Sequence, residues 1–141
     1  MEDPYRLERF VIAQDHEDTY AAALAQLRAG RKTGHWMWFV FPQIAGLGQS
    51  HMSRLYAIGS LDEARAYLRH DVLGERLRQC AAVVAATSGR TAEQIFGAID
   101  AVKLRSSMTL FLRAAPEEAV FARVLDEFFG GRPDPATDGR L

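Results

Sequence analysis

The sequence predicts a mainly α, single helical domain of about six helices, interrupted by an irregular aromatic-rich segment at about 31–59. Three observations carry this prediction. Apolar residues recur at i, i+3 and i+4 in several windows, each bounded by residues that start or stop helices. Glycine and proline concentrate in the one stretch where that period is lost. Over 141 residues, 48% are hydrophobic and 25% charged, the composition of an ordinary globule large enough to bury one core.

Each element has a local reason. Asp3-Pro4 reads as an N-cap with proline at the first helical position, and Leu7, Phe10 and Val11 follow at helical spacing. After the acidic break Asp15 to Asp18, Tyr20, Ala23, Leu24 and Leu27 repeat the pattern until Gly30, placed to end a second helix. From Arg31 to Gly59 the period disappears, and Met37 to Phe41 predicts a short extended segment. Ser60-Leu61-Asp62-Glu63 has the spacing of a capping box and opens a helix to about Arg69. Asp71 caps a fourth helix with the stripe Leu73, Leu77, Cys80 and Val84, ending near Ser88-Gly89. Thr91-Ala92-Glu93-Gln94 is a second capping-box match, opening a short turn that Gly97 closes. A longer helix covers about Ile99 to Arg113, with Leu104, Met108, Phe111 and Leu112 inward and Lys103, Ser106 and Ser107 on an adjoining face. Pro116 starts the last helix, with Phe121, Val124, Leu125 and Phe128 inward, and the tail Arg132 to Leu141 reads as loop. No repeat or linker divides the chain, so residues 1–141 read as one domain.

Charge and cysteine content narrow the function. Seventeen Lys and Arg against eighteen Asp and Glu leave a formal net charge of -1, which disfavours a nucleic acid partner and an anionic membrane surface. The apolar run Trp36 to Pro42 is far short of the roughly 18 to 20 residues of a membrane span. The acidic start Met1-Glu2-Asp3-Pro4 does not read as an export signal. Cys80 is the only cysteine, which excludes an internal disulfide or Cys-rich zinc site and makes the cytoplasm the expected compartment. His16, His51 and His70 are scattered without ligand spacing, so no metal is expected. Gly-x-Gly-x-x-Gly, Gly-x-x-x-x-Gly-Lys-Ser/Thr and Gly-x-Ser-x-Gly are all missing, and no cofactor is implied.

Two clusters remain as carriers of chemistry. Gly34-His35-Trp36-Met37-Trp38-Phe39-Val40-Phe41-Pro42-Gln43 holds both tryptophans and follows the basic pair Arg31-Lys32. Its indoles can stack on a planar ligand, the basic pair can meet a phosphate, and His35 offers an acid/base group. The same residues equally suit a core segment filling space between helices. If the segment is extended, Trp36, Trp38 and Val40 share one face and Met37, Phe39 and Phe41 the other, so one face can be core and the other a pocket wall. In the second cluster, spacings of three and four place Lys103 beside Ser106 and Ser107. A Ser–Lys dyad is one reading, although the order is the reverse of Ser-x-x-Lys, and a solvated helix face is the other.

The segment from Gly34 to Gln43 resembles the signature of the bacterial domain-of-unknown-function 1810 family. The resemblance extends to Leu7-Glu8-Arg9-Phe10 and Gln14, to Tyr67-Leu68 and Leu73-Gly74, and to Lys103-Leu104 with Ser106 to Phe111. It closes with Phe129 to Gly131, Asp134 and Thr137, while Asp138-Gly139 departs from the apolar residues expected there. It implies a small, mainly helical bacterial domain without an established activity. Members are sometimes labelled calpastatin, a name that implies a disordered protease inhibitor, and a composition this apolar argues against that label.

The reading that joins these observations is a pocket lined by the His35–Gln43 and Lys103–Ser107 segments, binding a small anionic or nucleotide-like ligand. His35, Lys103 and Ser107 are the candidates for catalysis, and Trp36, Trp38, Gln43, Arg31, Lys32 and Ser106 for ligand contact. Whether a reaction follows is left open, because no motif fixes one. The alternative is a non-enzymatic protein–protein interaction module anchored by exposed aromatic residues.

Overall fold

The computed structural model describes residues 2–141. In chain order the helices are α1 (Glu8–Asp15), α2 (Thr19–Arg28), α3 (Met37–Val40), α4 (His51–Leu55), α5 (Leu61–Arg69), α6 (Leu73–Ala86), α7 (Ala92–Phe96), α8 (Ala98–Ala114), α9 (Ala119–Phe129) and α10 (Pro135–Asp138), with a 3-10 turn, His16–Asp18, joining α1 to α2. Six of these, α1, α2, α5, α6, α8 and α9, have eight residues or more and form the helical body that the periodicity predicts. Among the described residues the only extended pairing is an isolated parallel bridge between Ile44 and Ile58. It closes the loop that carries α4, with Ile58 donating to Gln43 and accepting from Ala45.

α8 is the central element. Six successive residues, Ser106 to Phe111, are buried, so its middle is enclosed on every side and cannot show a clean amphipathic stripe. It packs against α5, α7, α9 and α10, while α6 packs against α2, α5 and α9. One continuous apolar cluster results, with Phe10, Phe41, Tyr67, Phe111 and Phe121 at its centre. Cys80 lies within it, fully buried, and burial pushes its thiol pKa up to about 11, as befits a small core residue rather than a nucleophile.

Several local expectations are corrected. Pro4 lies in a turn and α1 begins only at Glu8, because Arg6 adopts a left-handed conformation (φ 52°) that interrupts the helix. Asp3 still supplies acceptors, taking hydrogen bonds from the amides of Glu8 (3.0 Å) and Leu7 (2.8 Å), and these lower its pKa. Met37 to Phe41 is not extended but begins as the single helical turn α3. The start of α6 is capped by His70 Nδ1, which accepts from Val72 and Leu73, and Asp71 makes no cap. α9 starts at Ala119, three residues after Pro116, and Glu118 turns aside to pair bidentately with Arg78 at 2.5 and 3.0 Å.

The tail is not plain loop. Asp134 caps α10 and its carboxylate accepts from Ser106 Oγ (2.9 Å), Thr137 Oγ (2.6 Å) and the Thr137 amide (3.2 Å). Thr109 Oγ in turn accepts from the Asp134 amide. A dock made of hydroxyls and a carboxylate has no apolar period, so nothing in a hydrophobic pattern announces it. The capping boxes fare differently. Thr91 and Gln94 form the full reciprocal pair, whereas Glu63 accepts from Gly59 rather than Ser60 and gives its other oxygen to Arg9 at 3.1 Å.

Two polar side chains, Gln14 buried and Arg9 partly buried, hold the irregular segment against the helices. Gln14 on α1 donates to the Phe39 carbonyl (2.8 Å) and the Tyr67 hydroxyl (3.2 Å) and accepts from Arg76. Arg9 donates to the carbonyls of Tyr5, Arg6, Leu55 and Ala57 as well as to Glu63. Replacing Gln14 with alanine leaves a buried carbonyl and hydroxyl without these partners and opens a cavity. The expected loss is about 2 to 4 kcal/mol in urea denaturation; a loss under about 0.5 kcal/mol, the level of an ordinary surface change, would show that the latch is dispensable.

Candidate functional site

The aromatic segment leaves α2 at Gly30, turns, and enters the core at Trp36. Its path is set by Gln26 on α2, whose Oε1 accepts from the amides of Thr33 and Gly34 (both 3.0 Å) and from Trp36 Nε1 (2.8 Å). Gly34 is needed in this turn because a Cβ there would lie 2.7 Å from Trp36 Cδ1. The helical turn α3 then buries Trp36, Met37, Phe39 and Val40, with Phe41 following, while Trp38 is only half-buried. A helical turn, unlike a strand, does not divide its residues into two alternating faces. Most of the segment is therefore core, and His35 and Trp38 are what it presents outward.

Opposite this segment the chain leaves α7 through Gly97, whose φ 82° and ψ 162° belong to a region essentially reserved for glycine, and enters α8. The two segments enclose a cleft of about 460 Å³ whose lining includes Lys32, His35, Trp38, Gly97, Asp100 and Lys103. Lys32 Nζ lies 2.8 Å from one oxygen of Asp100, and Lys103 Nζ 3.7 Å from the other. Each ammonium also sits over an indole, Lys32 at 4.9 Å from the Trp36 ring centre and Lys103 at 5.1 Å from that of Trp38. Lys32 is tied further by its amide to the Ile95 carbonyl (2.7 Å) and by its ammonium to the Gly34 carbonyl.

The electrostatics of the cleft are positive. Two ammonium groups face one carboxylate, and the first amides of α8 add the positive end of a 17-residue helix, whose first backbone bond is donated by Ala101 to Gly97. The lining contains no hydroxyl or thiol. The indole N–H of Trp38 is buried without a hydrogen-bond partner, an arrangement that costs about 1 to 3 kcal/mol and leaves a donor uncommitted.

The nine residues singled out in the sequence divide. Lys32, His35, Trp38 and Lys103 line this cleft. Trp36 lies behind it, 2% exposed, and borders a second cleft on the other side of His35. Gln43 is half-buried beside the Ile44–Ile58 bridge, Arg31 is exposed, and neither reaches the lining. Ser106 is committed to the Val102 carbonyl and to Asp134 in the tail dock. Ser107 is fully buried with its hydroxyl unpartnered, so Lys103 is not hydrogen-bonded to it as a dyad requires. Asp100 is a cleft residue that sequence spacing alone does not nominate, and Gly97, expected as a helix stop, also borders the cleft. Asp100 stands three residues before Lys103, a spacing that marks an i,i+3 ion pair, but its bond to Lys32 spans 68 positions of sequence and has no local signal.

The family model described as "Protein of unknown function (DUF1810)" matches residues 4–141. The chain belongs to this family. The crystal structure of the conserved hypothetical protein Rv1873 from Mycobacterium tuberculosis superposes with a TM-score of 0.96 at 50% sequence identity, covering 99% of this chain and 98% of that one. No curated protein matches the chain. The resemblance seen in the aromatic segment thus extends over the matched residues 4–141 of the DUF1810 fold.

Removing the Gln26 acceptor tests how the segment is held. Gln26→Ala strands the Trp36 indole N–H in the core, and the expected loss is about 1 to 3 kcal/mol with a changed tryptophan emission spectrum. Unchanged emission and stability would mean that Trp36 packing alone sets the wall of the cleft.

Proposed function

We propose that this DUF1810 protein binds a small anionic ligand in the cleft between the aromatic segment and the start of α8. The observation that carries the reading is the convergence of Lys32 and Lys103, from segments far apart in sequence, on a cleft that also receives the N-terminus of α8. A carboxylate or phosphate entering there meets both ammonium groups, takes up the excess positive charge, and replaces water at the free amides of the first turn. Trp38 offers an indole wall and His35 an exposed imidazole at the mouth. The reading is one of binding, and the two candidate serines take no part in it, Ser106 being bonded to Asp134 and Ser107 fully buried away from the lining.

One observation favours the interaction-module reading as a second choice. Ile99 and Val102, one turn apart on α8 beside the cleft, are 75% and 64% exposed. They are two residues rather than a broad patch, and Ile99 also borders the cleft, so they serve a ligand's rim at least as well as a protein partner.

Thermal-shift measurements against nucleotides, ADP-ribose, sugar phosphates and small organic acids test the proposal. A ligand present at 100 times its dissociation constant adds about 2.7 kcal/mol, read as a rise of several degrees. The rise is expected to vanish in Lys103→Ala and in Lys32→Ala, both of which should remain folded by circular dichroism. No rise with any of these anions, or a rise undiminished in both variants, would overturn the proposal.

A further inference from the structure

His35 borders not one cleft but two. The second, of about 530 Å³, lies between the turn that joins α1 to α2, the aromatic segment and α4. Its wall is mainly apolar, with Ile12, Ala13, Ala22, Phe39, Met52 and Tyr56, and polar groups stand at its rim on His16, Glu17, Thr19 and Gln26. Ile12 is 64% exposed there, an apolar side chain left in solvent at the edge of a concavity. Gln26 commits Oε1 to three donors, and its amide nitrogen has no hydrogen bond within the described residues.

The rim is also strained. Glu17 and Asp18 are consecutive residues with positive φ, 51° and 56°, a conformation costly for Glu17 and better tolerated by Asp18. Such outliers persist where surrounding structure imposes them, and they concentrate at binding sites. Here they carry His16 and Glu17 to the edge of the cleft, and Glu17 adds a negative charge opposed to any anion.

We infer that the two clefts are halves of one site that takes a two-part ligand: an anionic group at Lys32 and Lys103, and an uncharged organic body that crosses His35 into the second cleft. The inference rests on the anion-binding reading of the first cleft and deepens it. Charge complementarity orients the ligand, since the first cleft is positive while the second is mainly apolar, with one exposed carboxylate, Glu17, beside His16 at its rim. His35 is the one residue common to both linings, so a ligand that occupies both clefts lies across it. The ligand class is therefore an organic monophosphate or carboxylate, rather than a free inorganic anion or a molecule charged at both ends.

Titration calorimetry with inorganic phosphate, adenosine 5′-monophosphate and hexyl phosphate tests this on the intact chain. At least one organic phosphate is expected to bind about tenfold tighter than inorganic phosphate, the gain that burying an organic body supplies. Ala22→Trp, on an exposed α2 position in the second cleft, should abolish that gain and leave inorganic phosphate binding unchanged. Ile12→Ser, at the exposed rim, should reduce it, whereas Lys103→Ala should weaken all three ligands. Equal binding of the three phosphates, or a tenfold gain that survives Ala22→Trp, would overturn the two-part site while leaving the anion site standing. Binding of none of the three would overturn both.

Discussion

An aromatic segment that passes through the core without regular long-range pairing must have its backbone polar groups satisfied by side chains, and two glutamines meet that demand. Gln26 accepts from two amides and an indole on the way in, and Gln14 donates to the Phe39 carbonyl at the far side of α3. Without them, buried donors and acceptors would oppose the gain from packing five large apolar residues. The segment's path, and hence which of its side chains reach solvent, depends on these few bonds. Trp36 is drawn inward by its own N–H, and His35 and Trp38 are left at the surface of the fold.

The cleft follows from that path and from the position of α8. Because the middle of α8 is enclosed by α5, α7, α9 and α10, its first turn emerges at the edge of the core, where Gly97 permits a sharp entry. Asp100 in that turn is held between two lysines, one from its own helix and one from the far segment. The Lys32–Asp100 contact, with the Lys32 side chain 7% exposed, stitches the two walls together and leaves Lys103 the more accessible ammonium. Polarity is thereby concentrated at one place on a chain whose overall charge is nearly zero.

A comparable division runs through the C-terminal half. The helix face on which Lys103, Ser106 and Ser107 were grouped by spacing serves three ends in the fold. Lys103 borders the cleft, Ser106 receives the tail through Asp134, and Ser107 is enclosed in the core. Helical spacing places side chains within one sector, but a sector of an enclosed helix meets several neighbours, and only their positions decide what each side chain does.

Much of the fold was legible because it rests on local rules. The 3.6-residue period, the complete Thr91–Gln94 capping box and the glycine stops at Gly30 and Gly97 express short-range sterics and hydrogen bonding, and they located the six long helices. The aromatic segment was legible as a family signature, and its matched model spans residues 4–141. Where side chains at long separation compete for the same backbone groups, local rules stopped short: His70 rather than Asp71 caps α6, Met37 begins a helical turn instead of a strand, and a polar dock orders the tail. The candidate site shows the same boundary. Lys32, His35, Trp38 and Lys103 were visible as residue types, whereas Asp100 between the lysines and the second cleft beyond His35 arise only when α8 and the 3-10 turn are packed beside the aromatic segment. The sequence by itself determined the helices and the chemistry available to them; the tertiary structure alone decided which of those groups share a cleft, because ion pairs and concavities are made between segments and leave no periodic trace along one.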